Sequence, residues 1–257
     1  MRKITIIKVG GAVVEQAHSL ANLLDGFCRI EGDKILVHGG GRTATQVAAS
    51  MGIETKMIDG RRVTDEQMLR IVTMVYGGLV NKQVVAQLNA RSQRALGLTG
   101  ADLGVIRAHK RPVVKGGVDY GLVGDVDSVD AASLEHLLAG NITPVVAPLT
   151  LGEGAQLLNT NADTIASEVA KALAPNNEVT LVYCFEKAGV LRDADDDSSV
   201  IAHIDTDSYA TLKQQGIVSG GMLPKLDNSF AALHSGVKRV VITRADSLNA
   251  GGTTIEL

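Results

Sequence analysis

Two lysines far apart in the chain stand where an ammonium group is useful mainly beside an anion. Lys8 lies in an apolar, β-branched run from Lys3 to Val9, two residues before Gly10-Gly11. Burying a lysine is costly unless negative charge meets it, so Lys8 is expected to point toward a bound phosphate at the strand end. Lys225 follows Ser219-Gly220-Gly221-Met222-Leu223-Pro224 and falls in the first turn of a Pro-initiated helix. The helix macrodipole disfavours a cation there. Either the side chain is solvated or an anion shares its site.

Between these lysines lie three further clusters. Gly39-Gly40-Gly41 ends a second strand-like run, and glycine lets a backbone approach a phosphate or carboxylate that a Cβ would block. Arg61-Arg62-Val63-Thr64 precedes a helix start, where an arginine can clamp a carboxylate with two donors. Asn159-Thr160-Asn161-Ala162-Asp163 sets three polar side chains at spacing two where a turn enters a helix. One of them suffices for an N-cap, so the set suggests a polar site, with Asp163 able to pair with a lysine. The triple glycine also admits a different chemistry. Gly39 to Ala44 fits G-x-G-x-x-A, and Asp59 lies twenty residues beyond Gly39, the pattern of a dinucleotide fold and an NAD-dependent oxidoreductase. That reading leaves Lys8 without a role, and no Walker A sequence is present.

The elements that must position these residues follow the βαβ rhythm of a parallel sheet. The Lys3–Val9 strand is followed by a helix with Leu20, Leu23, Leu24 and Phe27 on one face. A strand over 34–37 leads to a helix ending near Met51. Capping-box spacing at Thr64–Gln67 opens a long helical segment to about Ala90, which Gly77-Gly78 is expected to bend or break. Glycines between Lys115 and Gly124 suggest a hairpin on one edge of the sheet. Helices are expected near 131–139 and 162–173, and a strand over 142–147. Pro175-Asn176-Asn177 marks the boundary between a lobe of residues 1–174 and a lobe of residues 175–257. The second lobe reads as a strand over 179–184, helices near 206–215 and from about Leu223, a strand over 239–243 and a last strand ending at Ile255. The acidic loop Asp195-Asp196-Asp197 reads as a solvated hairpin tip rather than a metal site.

Bulk properties narrow the classes. A chain of 257 residues with 45% hydrophobic and 21% charged residues is ordinary for a globular protein. A net charge of -3, four Tyr, three Phe and no Trp argue against nucleic-acid and anionic-membrane partners. Cys28 and Cys184 read as two buried, reduced thiols. No signal-peptide pattern or membrane-length apolar run occurs, so the expected location is the cytoplasm.

Taken in order, Lys8-Val9-Gly10-Gly11, His38 to Gly41, Gly60 to Thr64, Asn159 to Asp163 and Gly220 to Lys225 resemble the amino acid kinase family, and within it the members that act on N-acylated glutamate. The resemblance implies an open, mainly parallel α/β sheet sandwiched by helices. It implies transfer of the γ-phosphate of ATP, with Mg²⁺, to the γ-carboxylate of an acylglutamate such as the acetyl or succinyl compound, the second step of arginine biosynthesis. Relatives acting on carbamate, aspartate or glutamate fit the motifs less well. By the same resemblance Lys8 and Lys225 neutralise the transferring group and Asp163 organises both. Gly40, Gly41, Arg62, Asn159 and Asn161 would bind the acylglutamate. Gly10, Gly11, Glu186, Gly189, Val190, Leu191, Ser219, Gly220 and Gly221 would bind ATP. One departure stands out: the family pattern usually has Ser or Thr followed by Asp where this sequence has Phe185-Glu186. The short lead into the first strand implies a homodimer that arginine does not inhibit.

Overall fold

The computed structural model describes residues 1–113, 117–193, 195–218, 222–248 and 251–257. The first strand, β1 (Arg2–Val9), is exposed at its start and buried over its last residues, as its β-branched run requires. It runs into α1 (Gly11–Glu15) and α2 (Ala17–Arg29), and α2 buries the four apolar residues that its spacing picked out. Next come β2 (Asp33–His38) and α3 (Gly41–Ser50), completing the βαβ unit. A short ribbon of β3 (Met57–Ile58) and β4 (Arg61–Arg62) then leads to α4 (Glu66–Val72).

Two local expectations are corrected here. The N-cap of α4 is Asp65, whose carboxylate accepts the Met68 N–H at 2.8 Å. Thr64 does not cap, because its hydroxyl is drawn back to donate to the Arg62 carbonyl at 2.9 Å. Gly77-Gly78 neither breaks nor ends the helix. The segment Thr73–Val80 widens into a π-helix and continues directly into α5 (Asn81–Ala90).

The chain continues through β5 (Ala95–Leu98), β6 (Ile106–Lys110), β7 (Gly124–Val129), α6 (Ala131–Ala139), β8 (Thr143–Val146), β9 (Leu149–Leu151), β10 (Leu157–Asn159) and α7 (Ala162–Leu173). Beyond Pro175 follow β11 (Asn177–Phe185), β12 (His203–Ile204), α8 (Thr206–Gln214), α9 (Met222–His234), β13 (Arg239–Arg244) and β14 (Thr253–Ile255). The main sheet has eight strands in the order β12-β14-β13-β11-β1-β2-β8-β5. All neighbours are parallel except β13 and β14. The expected hairpin exists as β6–β7, but it belongs to a separate four-stranded sheet, β10-β9-β6-β7, and not to the edge of the main sheet. The sequence places glycines but not the partner strand, and β9 supplies that partner.

Strand alternation divides the core into two layers. Ile4 and Ile6 of β1 pack with Ile165, Val169 and Leu173 of α7 and with Leu226 and Leu233 of α9. Ile7 and Val9 point the other way, into a cluster with Leu23 and Phe27 of α2 and residues of α4 and α5. Each such fully buried side chain contributes about 1.5–3 kcal/mol. Lys8 shares the face of Ile4 and Ile6, which is the face covered by α7 and α9.

Cys184 is buried, and burial pushes its thiol up to about 12. Cys28, expected to be buried as well, is only partly covered, because it lies beside rather than on the inward stripe of α2. Both thiols are free. Among the described residues no helix is long and apolar enough to cross a membrane.

Candidate active site

Parallel strands deliver ligands to their carboxyl edge, and the singled-out residues gather there. Lys8, only 8% exposed, forms an ion pair with Asp163 at 2.7 Å. Asp163 sits in the first turn of α7, where a carboxylate also suits the helix dipole. Lys225, in the first turn of α9, reaches the same place. Its Nζ lies 3.6 Å from the centroid of the Phe185 ring, and the Lys8 Nζ lies 5.1 Å from that centroid. Burial holds the Lys225 pKa below the usual lysine range, opposed by the Asp163 carboxylate and reinforced by the positive charge of Lys8. The two ammonium groups therefore face one site.

A cavity of about 410 Å³ opens beside them, lined by Gly10, Gly11, Glu186, Gly189 and Lys225 among others. Glu186 accepts a hydrogen bond from Arg42 at 3.1 Å, joining the end of β11 to α3. Both side chains are largely exposed, so the pair contributes little to stability. A Cβ on Gly189 would meet Thr253 Oγ1 at 2.7 Å, so glycine serves packing there too. Val190 is in the core, and its N–H donates to Thr253 Oγ1 at 2.8 Å. Leu191 bridges Val200. Neither lines this cavity. Ser219, Gly220 and Gly221 lie outside the described residues.

A second cavity, of about 170 Å³, shares Gly41 with the first and is lined by Gly40, Arg62, Tyr76, Asn159 and Asn161. Its floor is the triple-glycine turn, fixed from behind by His38. That ring is fully buried, and burial pushes its pKa down to about 4. The neutral imidazole donates from Nδ1 to the Gly39 carbonyl at 2.7 Å and accepts from Asn81 Nδ2 at 3.1 Å. Asn81 in turn donates to the Val145 carbonyl at 2.9 Å. Packing against Tyr76 is equally close. A Cβ on Gly40 would stand 3.0 Å from the Tyr76 ring. Gly40→Ala is expected to cost about 1–3 kcal/mol through overpacking, read as a lower urea midpoint.

Arg62 is 7% exposed, yet its guanidinium pairs with no carboxylate among the described residues. It donates to the Gly41 carbonyl at 2.7 Å, Thr45 Oγ1 at 2.9 Å and Thr55 Oγ1 at 3.1 Å. Thr64 links this wall to the opposite one, because its hydroxyl donates to the Arg62 carbonyl and accepts from Asn159 Nδ2, each at 2.9 Å. Asn161 is the N-cap of α7, accepting from the Asp163 and Thr164 N–H groups. The capping explanation therefore holds for Asn161, which also borders the cavity. Thr160 also borders the cavity, with its hydroxyl paired to Thr150 Oγ1 at 2.8 Å.

The profile of the Amino acid kinase family matches residues 3–244. The chain belongs to this family. It is 58% identical over 253 residues to the acetylglutamate kinase of Phocaeicola vulgatus, covering 98% of each chain. It is 56% identical over 255 residues to the acetylglutamate kinase of Bacteroides fragilis, covering 99% of this chain and 97% of the relative. In fold it is similar to N-acetylglutamate synthase of Neisseria gonorrhoeae, solved with coenzyme A and N-acetylglutamate, with a TM-score of 0.82 and 22% identity. That likeness covers 100% of this chain and 59% of the synthase.

Membership of the amino acid kinase family agrees with the open parallel sheet and displaces the oxidoreductase reading. The acid which that reading required, Asp59, stands exposed at the tip of the β3–β4 ribbon with a φ of 48°. In a dinucleotide fold it would end the strand beside the glycine turn. Two residues of the site went unread in the sequence, and His38 was read only as part of the motif running to Gly41. His38 was signalled by its adjacency to the triple glycine. Tyr76 and Asn81 carried no local signal, since each acts across a gap that only folding closes.

Proposed function

We propose that this chain transfers the γ-phosphoryl group of ATP to the side-chain carboxylate of an N-acylated glutamate, with N-acetyl-L-glutamate as the natural acceptor in arginine biosynthesis. The observation that carries this reading is the convergence of Lys8 and Lys225 on one point beside Asp163. A carboxylate attacking phosphorus meets a shell of negative oxygens, and it is already ionised at neutral pH. No base is required. Cationic groups and alignment are the whole requirement, as in phosphoryl transfer generally.

In this scheme a γ-carboxylate oxygen forms a bond to the γ-phosphorus as the bond to the β,γ-bridging oxygen breaks. The products are an acyl phosphate and ADP. Lys8 and Lys225 take up the charge on the transferring group, and Asp163 keeps Lys8 in place. ATP would enter as its Mg²⁺ complex, the ion supplying positive charge to the phosphates. The larger cavity, at Gly10, Gly11, Glu186 and Gly189, is assigned to the nucleotide, together with Val190, Leu191 and the 219–221 segment. The smaller one is assigned to the acylglutamate. It is lined wholly from residues 39–162, in keeping with an acceptor lobe of 1–174 and a nucleotide lobe of 175–257. The reading carries with it a cytoplasmic homodimer, to be checked by light scattering.

Arg62 is assigned to a carboxylate of the acylglutamate, since a buried guanidinium among neutral acceptors is stabilised by an incoming anion. Arg62→Lys keeps the charge but loses the fork. It should raise the KM for acylglutamate about 10–100-fold, a loss of ~1.4–2.7 kcal/mol, while kcat changes little. A comparable fall in kcat with an unchanged KM would remove Arg62 from this role. The reading as a whole is tested by ADP release with acetylglutamate, succinylglutamate, glutamate, carbamate and aspartate in parallel. Turnover confined to an acceptor other than an acylglutamate would overturn it.

A further inference from the structure

Phe185 ends β11, and both lysines of the site lie near its ring. We propose that Phe185 is a positioning residue for phosphoryl transfer, holding the Lys225 ammonium next to Lys8 on the face of its ring. The proposal rests on the reading that Lys225 neutralises the transferring phosphoryl group.

The two lysines are held differently. Lys8 is clamped by a carboxylate, Asp163, at 2.7 Å. Lys225 has no ion pair of its own among the described residues, and its ammonium lies 3.6 Å from the Phe185 centroid. A cation within about 6 Å of a ring face is attracted by the ring quadrupole, most strongly where water is excluded. The Lys8 ammonium, at 5.1 Å, feels the same ring. The negative face thus offsets part of the repulsion that gathering two cations creates.

The ring is itself fixed. Phe185 is two residues beyond Tyr183 on β11, so both side chains leave the sheet on one face. Their rings stack with centroids 5.9 Å apart and planes 14° from parallel. Tyr183 is buried, and its hydroxyl donates to the Asp163 carbonyl at 3.4 Å. Ring, Asp163 and both lysines therefore form one unit at the carboxyl edge of β1 and β11.

A ring is also a chemically apt holder. An ammonium carries three N–H donors, and a carboxylate partner would compete with phosphate for them and cancel the charge. An aromatic face places the cation while leaving donors and net charge for the phosphate oxygens. The ring acts through Lys225.

The test is steady-state ADP release with ATP and N-acetylglutamate for Phe185→Leu and Phe185→Tyr, each also built on Lys225→Met. Phe185→Leu should lower kcat about tenfold, within the range of a desolvated cation–π contact. The KM for acetylglutamate should stay within about twofold. Phe185→Tyr, which keeps the π face, should restore kcat to within about threefold of the unaltered enzyme. On the Lys225→Met background, Phe185→Leu should cost less than about twofold, because the ring then has no ammonium to hold. Wild-type kcat in Phe185→Leu, failure of the tyrosine to rescue, or the same tenfold loss without Lys225 would each overturn the proposal. If the unaltered enzyme forms no ADP with any acylglutamate, the functional reading itself falls. Normal wild-type turnover with an indifferent Phe185 removes only the role of the ring.

Discussion

Lys8→Met should lower kcat by roughly 10²–10³-fold while leaving the KM for acylglutamate within about threefold. The size follows from charge and distance. A unit charge about 4 Å from a partner is worth ~4 kcal/mol at an effective dielectric near 20, and each ~1.4 kcal/mol of differential stabilisation is tenfold in rate. Part of that interaction already exists with bound ATP, so the differential share is smaller than the whole. Methionine approximates the lysine stem, which keeps the packing of β1 against α7 and α9. The acylglutamate is assigned to a separate cavity, so its binding should be spared. Lys8→Arg should also lower kcat, although it keeps the charge, because a planar fork cannot occupy the space of a compact ammonium already fitted to Asp163. Single-turnover phosphoryl transfer is the decisive measurement. Wild-type rates in both variants would remove Lys8 from the mechanism.

The second large effect belongs to Asp163→Asn, expected to lower kcat about 10²-fold and to change the pH dependence of kcat/KM for ATP. Burial depresses the Lys225 pKa, and Asp163 is the leading influence holding it up, with Glu186 adding to it and Lys8 working against it. The sign follows directly. Because Lys225 must be an ammonium to act, kcat/KM for ATP should decline as pH rises through a pKa below the usual 10.5. Removing the carboxylate removes the strongest upward influence, so the alkaline limb should move to lower pH in Asp163→Asn. Profiles of kcat/KM for ATP for both enzymes across pH 7–10.5, at saturating acylglutamate, would report the displacement. An unmoved limb would mean that Lys225 is not the titrating group. Asn161 should keep capping α7 in this variant, since its side chain accepts from backbone N–H groups. The helix therefore stays in place while its charge is lost.

Much of the fold was legible because its signals are local. The inward stripe of α2 and the bounds of α7 could be read from periodicity and flanking turn residues. Where local chemistry offered two equal solutions, only context chose. Thr64 and Asp65 are both competent caps, and the demand of the Arg62 carbonyl for a donor decided for Asp65. Gly77-Gly78 has the composition of a break, yet tertiary packing carried the helix through it as a π-turn. The partner of the β6–β7 hairpin could not be read either, because pairing across distant strands leaves no periodic trace.

The same division runs through the site. By itself the sequence determined the chemical inventory: two lysines beside glycine turns, an arginine ahead of a helix, a polar run ending in Asp163, and a phenylalanine just beyond a strand. Each is a matter of residue type and near neighbours, which covalent order fixes. Only the tertiary structure decided that Lys8, Asp163 and Lys225 meet, since this depends on α7 and α9 covering the same face of the sheet that strand alternation gives to Lys8. It alone laid the Phe185 ring against the Lys225 ammonium and closed Tyr76 over the glycine turn. Contacts between residues far apart in sequence arise from packing energy summed over the whole core, and no single stretch of chain contains that sum.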